Sequence, residues 1–354
     1  VKNFCDMGEK MNKFKYIDKR VLCSYDLSED FFQELGIKVN DIIPLRKVFV
    51  LFTDKGKKIL KTTSSSKERI EFINKALEIV RKEDKFILQY CCNSKNEIIT
   101  TWKGQNYVLL DMIEGREANF LNPIEIEWCS KALAKFHLSS TNISNKLSED
   151  EVSEYTGKNL VYKLINDFCI ISEIQRIVDK FVYKNDFDIL FLKECDKAKK
   201  DLEDGINLLI SSSYNSLYKE NQNKVLCHLD LAHHNFIIQN ENINIIDFDY
   251  CAIDMRIADI YNFLVKVIKT LSYSKNGIDI VLNSYNDISE ISKEEREILF
   301  ALLNCPKDFV TISKDYYLKR KSWDEEVFVS RLANKIELDS FRDELILNLN
   351  SNLE

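Results

Sequence analysis

No stretch of this chain is apolar for long enough to cross a bilayer, and its start carries no apolar core of the kind a secretory signal needs. Low-complexity tracts and internal repeats are missing too. So is any excess of positive charge: Lys and Arg number 50 against 57 Asp and Glu, a formal charge of -7, which argues against a protein built to coat nucleic acid. The ten cysteines have neither paired nor metal-ligand spacing, and without a Cys-x-x-Cys there is no support for a zinc site. Most of these thiols are expected to fill cores in a reducing cytoplasm. What remains is a soluble chain of 354 residues, longer than one ordinary core, with 45% hydrophobic residues to fill two lobes.

The densest chemistry lies in Cys227 to Asp249, where His-x-Asp-x-x-x-x-Asn precedes an Asp-Phe-Asp. Transfer of a γ-phosphoryl group needs a base or orienting group for the attacking hydroxyl and oxygen ligands for Mg²⁺. Asp230 fits the first role. Asn235, five residues on, offers a neutral amide oxygen as a metal ligand. Phe236 to Ile238 and Ile243 to Ile246 read as short strands around a polar turn, Gln239 to Asn242, and this hairpin returns Asp247 as the principal Mg²⁺ ligand. His228 is read as a structural histidine bonding loop backbone, and His233 and His234 as surface or loop residues.

Upstream, Val1 to Arg20 reads as a loosely attached leader, and residues 1-27 as a segment preceding the first lobe. Ser28 to Leu35 reads as a short packing helix. Strands follow at Asp41 to Leu45, Val48 to Thr53 and Lys58 to Lys61, the last two joined by Asp54-Lys55-Gly56. Alternation puts Ile59 and Lys61 on one face and Leu60 on the other. An interior lysine needs an anionic partner. Lys61 is therefore the candidate for α- and β-phosphates, with Ile59 roofing the base and Lys58 as the competitor. Lys67 to Arg81 reads as a helix capped by Ser66, from which Glu71 first, or Glu68, is expected to pair with the strand lysine.

Strands at Phe86 to Cys91, Ile98 to Trp102 and Gln105 to Leu110 complete the sheet. The chain leaving it, Leu110 to Arg116, presents Asp111 and Ile113, whose main-chain groups can read an adenine edge. Beyond a helix at Ile124 to Ser139, in which His137 reads as a core histidine, Glu149 to Asn223 is long and helical and is where substrate-specific architecture would sit. Asp254 to Thr270 reads as a helix. Asp259 near its start can bond the catalytic-loop backbone or cap the first turn, the structural role being favoured. Tyr316 to Trp323 is an aromatic and basic cluster, read as part of an amphipathic helix rather than a ligand site.

The run ILK at Ile59 to Lys61, YVLLDMIEGRE at Tyr107 to Glu117, ALAKFH, HLDLAHHN, IIDFD, PKDF and YYLKRKSW occurs in this order over most of the chain. It resembles the aminoglycoside phosphotransferase and choline kinase superfamily, and more narrowly the spore coat CotS family of endospore-forming bacteria. The resemblance implies an α+β, protein-kinase-like two-lobe fold: an antiparallel β N-lobe over residues 28-113, a mostly helical C-lobe over 114-354, and nucleotide between them. It also implies ATP and Mg²⁺ as cofactors, Lys61 on the α- and β-phosphates, Asp230 as the catalytic Asp, and Asn235 and Asp247 on the metal. Two departures stand out: Leu229 where Gly often follows the loop His, and no Gly in the turn Pro44 to Val48.

The expected function is transfer of the ATP γ-phosphate to a hydroxyl of a small molecule, by a protein of the mother-cell cytoplasm or one assembled into the spore coat with other coat proteins. The alternative is a silent coat scaffold. No Ala-Pro-Glu segment follows Asp247, which weighs against a protein kinase.

Overall fold

The computed structural model describes residues 27–45 and 48–350. The leader read at Val1 to Arg20 and the centre of the turn at Pro44 to Val48 lie outside the described residues. The chain divides into two compact units, one of residues up to Arg116 together with Asn244–Asp249, the other of Glu117–Ile243 with Tyr250 onward.

The first unit is built on a six-stranded antiparallel sheet: β1 (Val39–Leu45), β2 (Val48–Thr53), β3 (Gly56–Thr63), β4 (Tyr90–Cys91), β5 (Ile99–Trp102) and β6 (Gln105–Asp111). The order is β1-β2-β3-β6-β4, with β5 also on β6. Gly56 takes φ +89°, as the β2–β3 turn requires, and the β5–β6 turn places both Lys103 and Gly104 at positive φ. Strand alternation sends Phe49, Leu51, Leu60, Tyr107 and Leu109 to one face, where Phe31, Phe32 and Leu35 around α1 (Glu29–Glu34) cover them. The opposite face carries Val50, Ile59 and Leu110 in one row and Val48, Lys61 and Val108 in the next. Helix α2 (Lys67–Arg81) starts at Ser66, whose hydroxyl accepts the Arg69 N–H at 3.2 Å. The strand expected at Phe86 to Cys91 shrinks to Tyr90–Cys91. Asp84 holds the Phe86 N–H at 2.9 Å, and Phe86 O and Ile87 are engaged instead by Ile245, which ties the segment leading to Asp247 into this unit.

The chain passes through β7 (Arg116–Glu117) into the second unit. Its helices are α3 (Pro123–Ser139), α4 (Glu149–Tyr155), α5 (Leu160–Val178), α6 (Asp186–Ser211), α7 (Tyr214–Lys219), α8 (Arg256–Thr270), α9 (Lys275–Asn286), α10 (Lys293–Asn304), α11 (Lys307–Tyr317) and α12 (Glu325–Asn350). Its strands are β8 (Lys224–Cys227), β9 (Phe236–Gln239) and β11 (Ala252–Met255), while β10 (Asn242–Ile245) begins in it and runs on toward Asp247 in the first unit. β11 pairs antiparallel with β8, so the helix expected from Asp254 starts only at Arg256.

A core of Ile171, Ile174, Phe187, Phe191, Ala198, Leu202, Phe309, Val310, Phe328 and Leu332 joins α5, α6, α11 and α12. Here the late aromatics turn inward. The Tyr316 ring stacks on Phe187 at 3.9 Å, and the Tyr317 hydroxyl donates to Asp188 at 2.8 Å. Gly205 lets α6 pack closely against the end of α10: a Cβ there would lie 2.5 Å from Cys305 Sγ and 3.1 Å from Ala301 O. Cys129, Cys195, Cys227, Cys251 and Cys305 are buried. No helix among the described residues is long and apolar enough to cross a membrane.

Candidate active site

In the first unit, Lys61 projects from β3 on the face opposite the α1 core. Its Nζ donates to Asp247 Oδ1 at 2.6 Å and to Asp249 Oδ2 at 2.8 Å. Burial works against the ammonium charge, but Asp249 and then Asp247 more than offset it, and the Lys61 pKa is held above its ordinary value. Both aspartates are partly open to solvent. That donor set, two hard carboxylates, fits a Mg²⁺ ion. Asp247 itself takes φ +67°, a conformation the paired Lys61 and the Ile245 anchor hold in place.

The helix carboxylate expected beside Lys61 is elsewhere. Glu71 is exposed, and its carboxylate lies 3.9 Å from Lys67 Nζ one turn back. The helix contributes Arg69 instead, whose guanidinium donates to the Asp249 carbonyl at 3.1 Å. Asp249 thus takes the place that the sequence reading gave to Glu71, because the second aspartate of the Asp-Phe-Asp already faces Lys61. Lys58, the competitor, is paired with Asp111 directly across the strand pair. Ile59 stands one row from Lys61, half-buried between Val50 and Leu110. Asp111 donates its N–H to Gln89 O at 3.0 Å, and Ile113 follows just beyond the last residue of β6.

In the second unit the loop after β8 is held by buried polar groups. Asp259, fully buried at the start of α8, accepts the His228 N–H at 2.5 Å and the Leu229 N–H at 2.6 Å. It does bond the loop backbone. Behind it, His137 Nε2 lies 3.2 Å from Asp259 and Nδ1 lies 2.7 Å from the Tyr285 hydroxyl. His228 is buried, and its Nδ1 accepts the Asp230 N–H at 3.1 Å. Leu229, in place of the usual glycine, takes φ +63°, and its carbonyl accepts from Asn262 Nδ2 at 2.8 Å. Four hydrogen bonds thus over-determine a backbone that an L-residue adopts only at a cost.

The outcome is a defined pose for Asp230 and Asn235. Asn235 is buried and gives its amide nitrogen to the Asp230 carbonyl at 2.7 Å, which leaves the amide oxygen as the end that can meet a cation. The Asp230 carboxylate is partly exposed and ion-paired with Lys266 of α8. Sequence reasoning missed Lys266 and Asn262. Their signal was available, since Asp259, Asn262 and Lys266 fall at i, i+3 and i+7 on a helix whose other inward positions are apolar. His233 and His234 stay at the surface, His233 Nε2 lying 3.9 Å from Glu117.

These features can be set beside known proteins. The fold is protein-kinase-like. An aminoglycoside phosphotransferase from Alicyclobacillus acidocaldarius superposes with a TM-score of 0.74 over 89% of this chain and 92% of its own, at 17% identity. Spectinomycin phosphotransferase APH(9)-Ia, solved with ADP and spectinomycin, gives 0.62 over 88% and 95%, at 14% identity. In sequence, spore coat protein S of Bacillus subtilis (strain 168) is 24% identical over 320 residues, 85% of this chain and 86% of that protein. The model of the family described as "Spore coat putative kinase YutH" matches residues 28–348, and the chain belongs to that family, a spore coat group with a phosphotransferase-like fold.

Proposed function

We propose that this protein is a spore coat-associated kinase that transfers the γ-phosphoryl group of ATP to a hydroxyl of a small molecule. The observation that carries the reading is the Lys61 ammonium held by Asp247 and Asp249, the arrangement a nucleotide's phosphates and their metal require. Asp247 and the Asn235 amide oxygen are the groups that would hold Mg²⁺, whose charge supports the phosphates when bound. Lys61 binds the α- and β-phosphates, and the main chain at Asp111 and Ile113, beside Ile59, receives the base.

Asp230 orients the acceptor hydroxyl and takes its proton. As the acceptor oxygen forms its bond to the γ-phosphorus, the bond to the β-phosphate oxygen breaks and ADP leaves with that electron pair. The products are a phosphate ester and ADP. Asp259, His137 and His228 touch none of the reacting atoms; they set the backbone on which Asp230 stands. Membership of a spore coat family and the likeness to spore coat protein S support an association with the coat, and we take the protein to work in the mother-cell cytoplasm or the assembling coat. Mg²⁺-dependent ATP binding that requires Lys61 and Asp247 is the test.

The second reading, a silent coat protein that keeps the fold and uses its surface, is favoured by one feature. At the turn between α5 and α6, Val182 and Tyr183 are almost fully exposed beside half-exposed Ile177 and Phe181.

A further inference from the structure

Around Asp230 the second unit gathers five lysines, three of them paired with carboxylates and two not. Lys266 is paired with Asp230 itself. One turn along α8, Lys269 meets Asp308 at 2.6 Å, and Lys335 of α12 meets the same carboxylate at 3.3 Å. Lys307, the first residue of α11, holds its ammonium 5.2 Å from the centre of the Tyr261 ring. Lys163, in the first turn of α5, is exposed. No carboxylate lies within ion-pairing distance of Lys163 or Lys307 among the described residues.

The lysines act on one another. Burial, then the charges of Lys163 and Lys269, push Lys307 down to about 8; Asp308 opposes this and Lys266 adds to it. Lys307 and Lys163 are nonetheless both exposed, and an apposition of like charges is unfavourable by itself and becomes favourable when an anion enters. A cationic acceptor would meet repulsion here.

We propose that Lys163, Lys266 and Lys307 form the acceptor side of the site and that the acceptor is an anionic alcohol, one carrying a phosphate or carboxylate near the hydroxyl that is phosphorylated. The inference rests on the phosphotransfer reading of Asp230. Lys266 then bridges Asp230 and the anionic group, and Lys307 and Lys163 take its remaining oxygens. The hydroxyl proton still goes to Asp230, and the phosphoryl bond is exchanged as described above.

A matched set of three-carbon probes tests this by calorimetry on the full chain at neutral pH: glycerol, glycerol 3-phosphate, glycerate and 3-amino-1,2-propanediol, each with and without Mg²⁺ and ATP. The two anions are expected to bind at least about tenfold more tightly than glycerol or the amine. Lys163→Ala and Lys307→Ala should each weaken the anions by about fivefold or more, Lys307→Arg should not, and none should alter ATP affinity. Facing Lys163, Tyr261, Lys266, Lys269 and Asp308, the neutral Lys307 amine present above pH about 8 takes up a proton when an anion binds. Anion affinity should therefore fall as pH rises through about 8, with proton uptake above it. Tighter binding of the amine, unchanged anion binding in both alanine variants, or displacement of the anions by ATP would overturn the proposal. Preference of phosphate over carboxylate identifies a phosphorylated alcohol, and the reverse a hydroxy acid. Anion binding that depends on these lysines, without any phosphoryl transfer to the bound alcohol, would uphold the anion site and sink the catalytic reading.

Discussion

The Asp259 carboxylate accepts the N–H of Leu229 at 2.6 Å, across thirty residues of chain, while Leu229 sits at φ +63°. A side-chain bond thus stabilises a backbone conformation that leucine disfavours, and Asp230 follows directly. Asp259→Ala would leave the buried His228 N–H, the part-buried Leu229 N–H and His137 without their acceptor, and should destabilise the fold by about 3 kcal/mol in urea unfolding. Leu229→Gly should do the reverse at its own site, relieving about 1 kcal/mol of left-handed strain. A neutral result for Asp259→Ala would mean that the loop holds itself.

Glu71 supplies a second prediction. Its carboxylate is exposed and 3.9 Å from Lys67, so Glu71→Ala should change stability by less than about 0.5 kcal/mol and leave nucleotide affinity unchanged. Asp249→Asn, by contrast, removes the first of the two charges that hold the Lys61 pKa up and should lower that pKa, measurable by NMR of the labelled lysine. Tenfold loss of nucleotide binding in Glu71→Ala would restore the helix glutamate to the site.

What the sequence made legible follows period and turn chemistry. Alternation in β3 separated Leu60 from Ile59 and Lys61, the Asp54-Lys55-Gly56 turn joined β2 to β3 where expected, and Ser66 capped its helix. Legibility failed where a side chain chooses among distant partners. Glu71 and Asp249 are equally reasonable acids for a strand lysine until the fold brings one to it. Lys266 is 36 residues from Asp230 and looks, in sequence, like any lysine on an amphipathic helix. Phe86 to Gln89 has strand-like residues, but Asp84 and Ile245 claim its backbone first.

Gly205 tests the helical packing. A methyl group there would meet Cys305 Sγ at 2.5 Å and backbone Ala301 O at 3.1 Å. Gly205→Ala gains helix propensity worth about 1 kcal/mol but should still lose about 1 to 3 kcal/mol net through overpacking. Adding Cys305→Ala should recover part of that loss, a non-additivity that a double-mutant cycle on the unfolding free energy would read.

Asp254 gives a pH dependence of unusual sign. Burial, helped by the Asp259 charge and opposed by the Met255 N–H, pushes its carboxyl up to about 6. The native state therefore holds this proton more tightly than the unfolded chain does. Its contribution is full below the unfolded value of about 4 and is lost as pH rises through about 6, a change of about 3 kcal/mol. The stability difference between the native protein and Asp254→Asn, followed by urea unfolding from pH 4 to pH 7, should shift in favour of the variant as pH rises. A flat difference would contradict the burial argument.

The central claim is that Lys61 and Asp247 form a working nucleotide site, and calorimetric titration of ATP with Mg²⁺ tests it most directly. Native protein, Lys61→Ala and Asp247→Ala would be compared at the same folded fraction, with and without the metal. Saturable, Mg²⁺-dependent binding to the native protein is expected, weakened at least about tenfold in each variant. Absence of binding to the native protein, or binding that survives both substitutions, would contradict it and leave the coat-scaffold reading standing.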